Sequence, residues 1–235
     1  MKIPSDINDQ VYILMPVYNE STVLQSTIDG LKVYFKNIIA VNDASTDNSR
    51  EILVRNNILT INHPLNLGQG AAIETGFKYI SKINNAKALI TFDSDGQHDP
   101  KDASKFAKEI IKCDEKIIFG SRFLEFKSNI PFLKSLLLKL AVFFNKFLIR
   151  IALTDTHNGL KAYKIDAVKK INISNQGYAF ESELLMEVVK NKLTYKEMPT
   201  EIKYTEYSIS KGQSIANALV IAEDIIGMLI NRRSK

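Results

Sequence analysis

The chain has 235 residues, 45% of them hydrophobic and 24% charged, with a formal net charge of +5. That length and apolar content suit one globular domain with an ample core, and a single cysteine, Cys113, excludes a disulfide framework and a multi-cysteine zinc site. The charges are spread without any block of five like signs, which excludes a nucleic-acid tail and leaves small anionic ligands or an anionic membrane face as partners. Residues 1–10 carry neither a basic nor an apolar leader region, so a cytoplasmic chain is expected.

Val11-Tyr12-Ile13-Leu14-Met15-Pro16 predicts a first buried strand, stopped by Pro16 because proline has no N–H for a ladder. Val17-Tyr18-Asn19-Glu20-Ser21 is a polar corner, and Glu20 or Ser21 can cap a helix over about 22–35. A second apolar run at 37–41 ends in Asn42-Asp43-Ala44-Ser45-Thr46-Asp47 before a helix over 48–56. A short strand at 58–61 leads into a glycine-punctuated loop, which opens a helix running to about 81. The strand at 87–92 stops abruptly in Asp93-Ser94-Asp95-Gly96-Gln97-His98-Asp99-Pro100. A helix over 101–112 and a strand at 116–120 follow, closing on Gly120-Ser121-Arg122.

Strands alternating with helices at these intervals predict an α/β fold, a mostly parallel sheet flanked by helices. In such a sheet ligands bind beyond the carboxyl ends of the strands, and every polar cluster above lies at one of those ends. Asp93 and Asp95, one residue apart at a strand end, can converge on a hard cation through oxygen ligands, with Gln97 adding a neutral oxygen. A turn capping the next helix through Ser94 or Asp99 is the alternative use of the same residues. His98 is expected to pack or cap.

The second half is less regular. Segment 130–151 is the most apolar of the chain, but Lys134, Lys139, Lys146 and Arg150 interrupt it. Each charge would cost roughly 2.5–3.5 kcal/mol near a bilayer centre, which argues against a spanning helix. An interfacial helix, or helices packed on the sheet or on a second subunit, fits better. Segment 178–185 begins a helix whose Glu181 and Glu183 either point back at the strand ends or oppose the helix dipole. An edge strand carrying Pro199 is expected over 195–204, then a polar stretch with Lys211. The amphipathic helix at 215–230 is too polar, through Glu223 and Asp224, to span a membrane.

Pro16-Val17-Tyr18-Asn19-Glu20, Val41-Asn42-Asp43-Ala44-Ser45-Thr46-Asp47, Asn66 with Gly68, Gly70 and Ala71, Asp93-Ser94-Asp95-Gly96-Gln97-His98 and Gly120-Ser121-Arg122 occur in that order. Together they resemble a family 2 glycosyltransferase of the GT-A fold, within its dolichyl- or polyprenyl-phosphate sugar synthase branch, over about residues 10–165. The resemblance implies a Rossmann-like GT-A domain spanning 1–235 with C-terminal amphipathic helices. Residues 10–125 would bind a GDP- or UDP-sugar and residues 126–235 the acceptor. It implies inverting transfer to polyprenyl phosphate with Mg²⁺ or Mn²⁺, oxygen ligands favouring these over zinc. Pro16, Tyr18 and Glu20 would flank base and ribose, with Val41 and Asp43 completing that pocket. Asp93, Ser94 and Asp95 map onto the family's acid-x-acid motif, and Gln97 onto a metal-proximal glutamine. Arg122 would meet a diphosphate or acceptor phosphate with its planar fork.

Two departures stand out. Relatives carry an arginine facing the acceptor phosphate where Lys134 is the nearest equivalent, and an arginine and a lysine about a glycine where this chain has only Lys211. Asp155-Thr156-His157-Asn158-Gly159-Leu160-Lys161 resembles the family's Asp-Thr-x-x-Gly-x-Lys segment beside donor sugar and acceptor. A lipid-phosphate oxygen needs no general base; a glycan hydroxyl acceptor would, and Asp155 is then the candidate, with Glu181 and Glu183 behind it. A silent nucleotide-sugar-binding subunit of a membrane complex is a third reading, opposed by the Asp93/Asp95 pair and Arg122. The expected location is the cytoplasmic membrane face, by direct peripheral contact, through an integral partner, or as a homodimer that covers 130–151.

Overall fold

The computed structural model describes residues 8–125, 149–175 and 180–203. The apolar runs form β1 (Val11–Val17), β2 (Asn37–Asn42), β3 (Leu59–Asn62) and β4 (Ala88–Thr91), separated by α1 (Leu24–Lys32), α2 (Ser49–Arg55) and α3 (Gln69–Ile80). Then come α4 (Pro100–Lys112), β5 (Ile117–Ser121), β6 (Lys161–Lys164), α5 (Ile165–Val168), α6 (Phe180–Lys190) and β7 (Tyr195–Pro199). One seven-stranded sheet results, in the order β3-β2-β1-β4-β6-β5-β7. All neighbours run parallel except β6, which is antiparallel to both β4 and β5.

Both faces of this sheet are covered, so its central strands read as continuous apolar runs rather than alternating ones. Leu14, Ile39, Leu89, Phe119 and Tyr163 face a core completed by Ile73, Phe77 and Ile80 of α3 and Leu184 and Leu185 of α6. Ile13, Met15, Ala40 and Ile90 face the other, completed by Ile28 and Leu31 of α1 and Phe106 and Ile110 of α4. Helix α3 lies close to the sheet because Gly76 has no side chain; a Cβ there would sit 2.1 Å from a Leu14 methyl.

Two details depart from the sequence reading. Pro16 does not stop β1; it lies inside the strand, paired in register with Val41 of β2. Its missing N–H faces the β4 side, where the ladder has already ended at Leu14–Thr91, so no bond is lost. Strand β6 was not expected. Its four residues, Lys-Ala-Tyr-Lys, are too few and too basic at the ends to show a strand pattern, yet it fills the gap between β4 and β5. The edge strand carrying Pro199 is β7, shorter than expected. Most of 130–151, Lys211 and the 215–230 helix lie outside the described residues. Among the described residues no helix is long and apolar enough to cross a membrane.

Candidate active site

The corners after β1 and β2 lock onto each other. Asn19 and Ala44 take left-handed backbone angles, φ 53° and 57°, which turn both loops over the strand ends. Asn19 Oδ1 accepts from the amides of Thr46 (2.8 Å) and Asp47 (3.3 Å), and the Asn19 amide donates to Ser45 Oγ (3.1 Å). Asp47 accepts from the Ser21 and Ser49 amides, both at 2.9 Å, while Ser49 Oγ accepts from the Glu20 amide. Burial works against the Asp47 charge, but the hydrogen bonds from Ser49 and Ser21 outweigh it and hold the carboxyl at about 2. This lattice fixes Glu20 and leaves Tyr18 exposed at the rim, above the buried, register-paired Pro16 and Val41.

Asp43 is 3% exposed. Its Oδ1 accepts from the Leu67 amide (2.9 Å) and lies 2.7 Å from His63 Nδ1, and its Oδ2 accepts from the Gly68 amide (2.7 Å). Gly68 sits at φ 91°, a conformation that favours glycine. An ionised carboxylate has about four lone-pair sites, so at most one, on Oδ2, stays open. The Asp43 carboxylate shapes the glycine loop that opens α3 and keeps one acceptor position on Oδ2 for a ligand N–H or hydroxyl.

Beyond β4 the acids are less well satisfied. Asp93 Oδ1 accepts from Gln69 Nε2 (3.2 Å), and Oδ2 lies 3.5 Å from His98 Nε2. Asp95 accepts from the Gln97 amide (3.0 Å) and from Gln97 Nε2 (2.7 Å), across Gly96 at φ 75°. Gln97 therefore turns its amide nitrogen to Asp95 and keeps Oε1 as the oxygen it can offer a cation. Burial and the neighbouring Asp93 charge push Asp95 up to about 6. Burial opposes the Asp93 charge too, but His98, Lys161 and Arg122 pull its carboxyl below the usual range. The buried Ser94 hydroxyl donates to the Pro16 carbonyl (2.7 Å), tying β4 to β1 between the two acids. His98 packs on Phe92 at 5.7 Å between ring centroids, and its Nδ1 has no hydrogen-bond partner among the described residues.

Arg122 and Asp155 were expected to serve phosphate and acceptor separately, and they are found bonded to each other. Arg122 Nε donates to Asp155 Oδ2 at 2.6 Å, and Nη2 donates to the His157 carbonyl at 3.0 Å. The Arg122 amide (3.2 Å) and Asn158 Nδ2 (3.3 Å) also reach Asp155 Oδ2. At 1% exposure, Asp155 is the counter-ion that holds Arg122, and the role of general base, expected only for a hydroxyl acceptor, would require that pair to open. Glu183 also turns away, accepting from the Ser174 and Asn175 amides.

Asp93, Asp95 and Gln97 Oε1 suit a hard divalent cation in kind: all are oxygens, and Asp95 is an acid raised by burial and then by the charge of Asp93, a strain that a cation would relieve. Among the described residues no group of three or more His, Cys, Asp and Glu is placed to hold a metal ion, so an ion bound by this pair would take its other ligands from water or a bound ligand.

The family model described as "Glycosyl transferase family 2" matches residues 12–172, which include every site residue above except the α6 glutamates and Lys211. The chain belongs to glycosyltransferase family 2. It is 32% identical to the UDP-N-acetylglucosamine–dolichyl-phosphate N-acetylglucosaminyltransferase of Methanococcus voltae, over 87% of this chain and 90% of that protein. It is 24% identical to the polyprenol monophosphomannose synthase of Mycolicibacterium smegmatis, over 88% and 83%. These likenesses support the polyprenyl-phosphate sugar synthase branch of the family. The Mycobacterium tuberculosis glucosyl-3-phosphoglycerate synthase, solved with UDP, superposes with a TM-score of 0.72 at 13% identity, over 95% of this chain and 79% of that one. At that identity the likeness establishes the GT-A fold.

Three features of this glycosyltransferase's rim escaped sequence reasoning. Gly159 lies against Asp93 so closely that a Cβ would fall 1.8 Å from Oδ2, and Thr91 Oγ1 fixes the glycine by donating to its carbonyl (2.8 Å). Lys161 and Glu181 form a buried ion pair at 2.7 Å. Gln69, the first residue of α3, reaches Asp93. The glycine and lysine of the Asp-Thr-x-x-Gly-x-Lys segment were the available signal, but only β6 shows which carboxylate they adjoin.

Proposed function

We propose that this glycosyltransferase moves a sugar from a nucleotide-diphosphate sugar to the phosphate of a polyprenyl carrier, with inversion at the anomeric carbon, and that Asp93, Asp95 and Gln97 hold Mg²⁺ or Mn²⁺. The observation that carries the reading is the Asp93/Asp95 pair at the end of β4, two neighbouring, partly buried acids with few protein donors, in a chain of this family. When bound, such an ion supplies Lewis-acid stabilisation of the charge on the departing diphosphate. The M. voltae relative's name favours a UDP-sugar as the first donor to test.

The chain's own residues do the rest. Tyr18, over Pro16 and Val41 and beside Glu20, flanks the base and ribose. The loop held by Asp43 lets backbone approach the nucleotide at Gly68 and Gly70. Arg122, fixed by Asp155, contributes positive charge at the end of β5, and Lys211 is the cation that closes over the diphosphate. Two of the carboxylates near the acceptor side, Asp155 and Glu181, are each paired with a buried cation. That favours a phosphate acceptor, already an anionic nucleophile, over a hydroxyl that must lose a proton. A lipid acceptor in turn implies contact with a membrane face, direct or through an integral partner.

The test is incubation with UDP-N-acetylglucosamine, UDP-glucose or GDP-mannose, a short polyprenyl phosphate and Mn²⁺, with and without EDTA. Sugar should enter the organic phase with one donor, cease to do so with EDTA, and carry the anomeric configuration opposite to the donor's by NMR. No lipid product from any donor, or a yield indifferent to EDTA, would sink the reading.

A further inference from the structure

The Lys161–Glu181 pair lies deeper than catalysis at the rim requires. The Lys161 side chain is 4% exposed and the Glu181 side chain 12%. Lys161 opens β6 as the register partner of Thr91, two residues before Asp93, and Glu181 stands in the first turn of α6. With Asp93, Gln69, Gly159 and Tyr163 they line one small cavity of about 10 Å³, room for roughly one water. Glu181 Oε1 takes the ammonium, while Oε2, equally buried, has no hydrogen-bond partner among the described residues.

A buried ammonium is costly unless paired, by several kcal/mol even after relaxation. Two carboxylates line the Lys161 cavity, Glu181 and Asp93. Bonded to Glu181, the ammonium leaves the Asp93 oxygens facing Gln69, His98 and the rim. Bonded to Asp93, it would occupy an oxygen that a divalent ion needs. Asp93, Asp95 and Glu181 set against Lys161 leave two negative charges, the complement of one such ion. We propose that Glu181 is a positioning residue that holds Lys161 off Asp93 and so keeps Asp93 open to the metal. This rests on the reading above that Asp93 and Asp95 hold a divalent cation.

Mn²⁺ affinity of the full chain, read from the EPR signal of free Mn²⁺ in the presence of UDP, tests it without recourse to turnover. E181Q frees Lys161 to bond Asp93, and affinity should fall about tenfold or more, the scale of coupling between contacting charges. In E181Q/K161M the competing ammonium is gone, and affinity should return to within about threefold of wild type, because neutral isosteres often replace a buried pair without loss. A merely structural role would instead make the two losses add. Wild-type affinity in E181Q, or a double variant no tighter than E181Q, overturns the proposal. Should E181Q fail to fold by circular dichroism, K161M decides: it must bind Mn²⁺ at least as tightly as wild type, and about a tenfold loss overturns the proposal. Absence of Mn²⁺ binding by the wild type would overturn the metal reading itself, a result distinct from the others.

Discussion

Asp47 and Asp95 are the same residue in similar places, each in a loop just past the end of a parallel strand, and their surroundings drive them in opposite directions. Asp47 collects amide hydrogen bonds from Ser49, two residues on, and from Ser21 in the corner after β1, and is held at about 2. Among the described residues Asp95 collects bonds only from Gln97, two residues on; burial and the charge of Asp93 push it up to about 6. The first carboxylate is complete within the protein. The second is left short of positive charge. At the rim of this sheet, then, an acid's partners and not its position separate scaffolding from chemistry.

The strongest way to break that contrast is to neutralise each acid in turn. D95N should lower kcat/KM for sugar transfer by about a thousandfold, the scale of lost charge stabilisation at a reacting phosphate. The same change should stabilise the metal-free protein at pH 7, by up to about 3 kcal/mol in urea unfolding, because a raised carboxyl pKa is a cost of ionisation that asparagine does not bear. Loss of stability in D95N would place it with Asp47. G159A comes next. Its methyl would overlap Asp93 Oδ2, so Mn²⁺ affinity and kcat/KM should both fall about a hundredfold, the scale of an ångström-sized misplacement, with a melting temperature that moves little by comparison.

His157 offers a pH handle on the charged side of the rim. Burial, opposed by Asp155 and reinforced by Lys161 and Arg122, brings its imidazole from 6.5 down to about 4. Between those values the unfolded chain binds a proton that the native one refuses, so stability should fall as pH drops from 6.5 to 4 and be fully present above that window. The loss amounts to at most about 3 kcal/mol, and H157Q should flatten it in urea titrations at pH 7 and 4.5. The smallest effect is expected from D47N. It should cost about 1–2 kcal/mol through weakened hydrogen bonds and leave kcat within about twofold, the reverse of the D95N pattern.

Much of the fold could be read from the chain because its central strands are buried on both faces and stand out as apolar runs: Ile38 to Val41 and Ala88 to Phe92 need no partner to be recognised. Their polar terminators were equally plain. Pairings between distant residues were not. Arg122 is sequestered by an aspartate thirty-three positions away, Gly159 abuts a carboxylate on another strand, and Lys161 belongs to a strand too short to carry a period. The pairing of Asp155 with Arg122 was hidden because nothing local reveals the guanidinium beside it. Pro16 read as a stop because its neighbours in the sheet, and therefore the harmlessness of its missing donor, are a tertiary fact. That Asp43 also holds the glycine loop was hidden, because Leu67 and Gly68 lie far along the sequence.

Because β6 runs against its neighbours, the long excursion between β5 and β6 both leaves and rejoins the sheet at the rim. Its two anchorages are within bonding distance of each other: the Gly120 amide donates to the Leu160 carbonyl at 2.9 Å, and Ser121 Oγ meets Thr154 Oγ1 at 2.6 Å. A chimera that grafts this excursion from a relative using a different acceptor would need only two adjacent splice points. A changed acceptor in that chimera would assign acceptor choice to the excursion, and an unchanged one would assign it elsewhere.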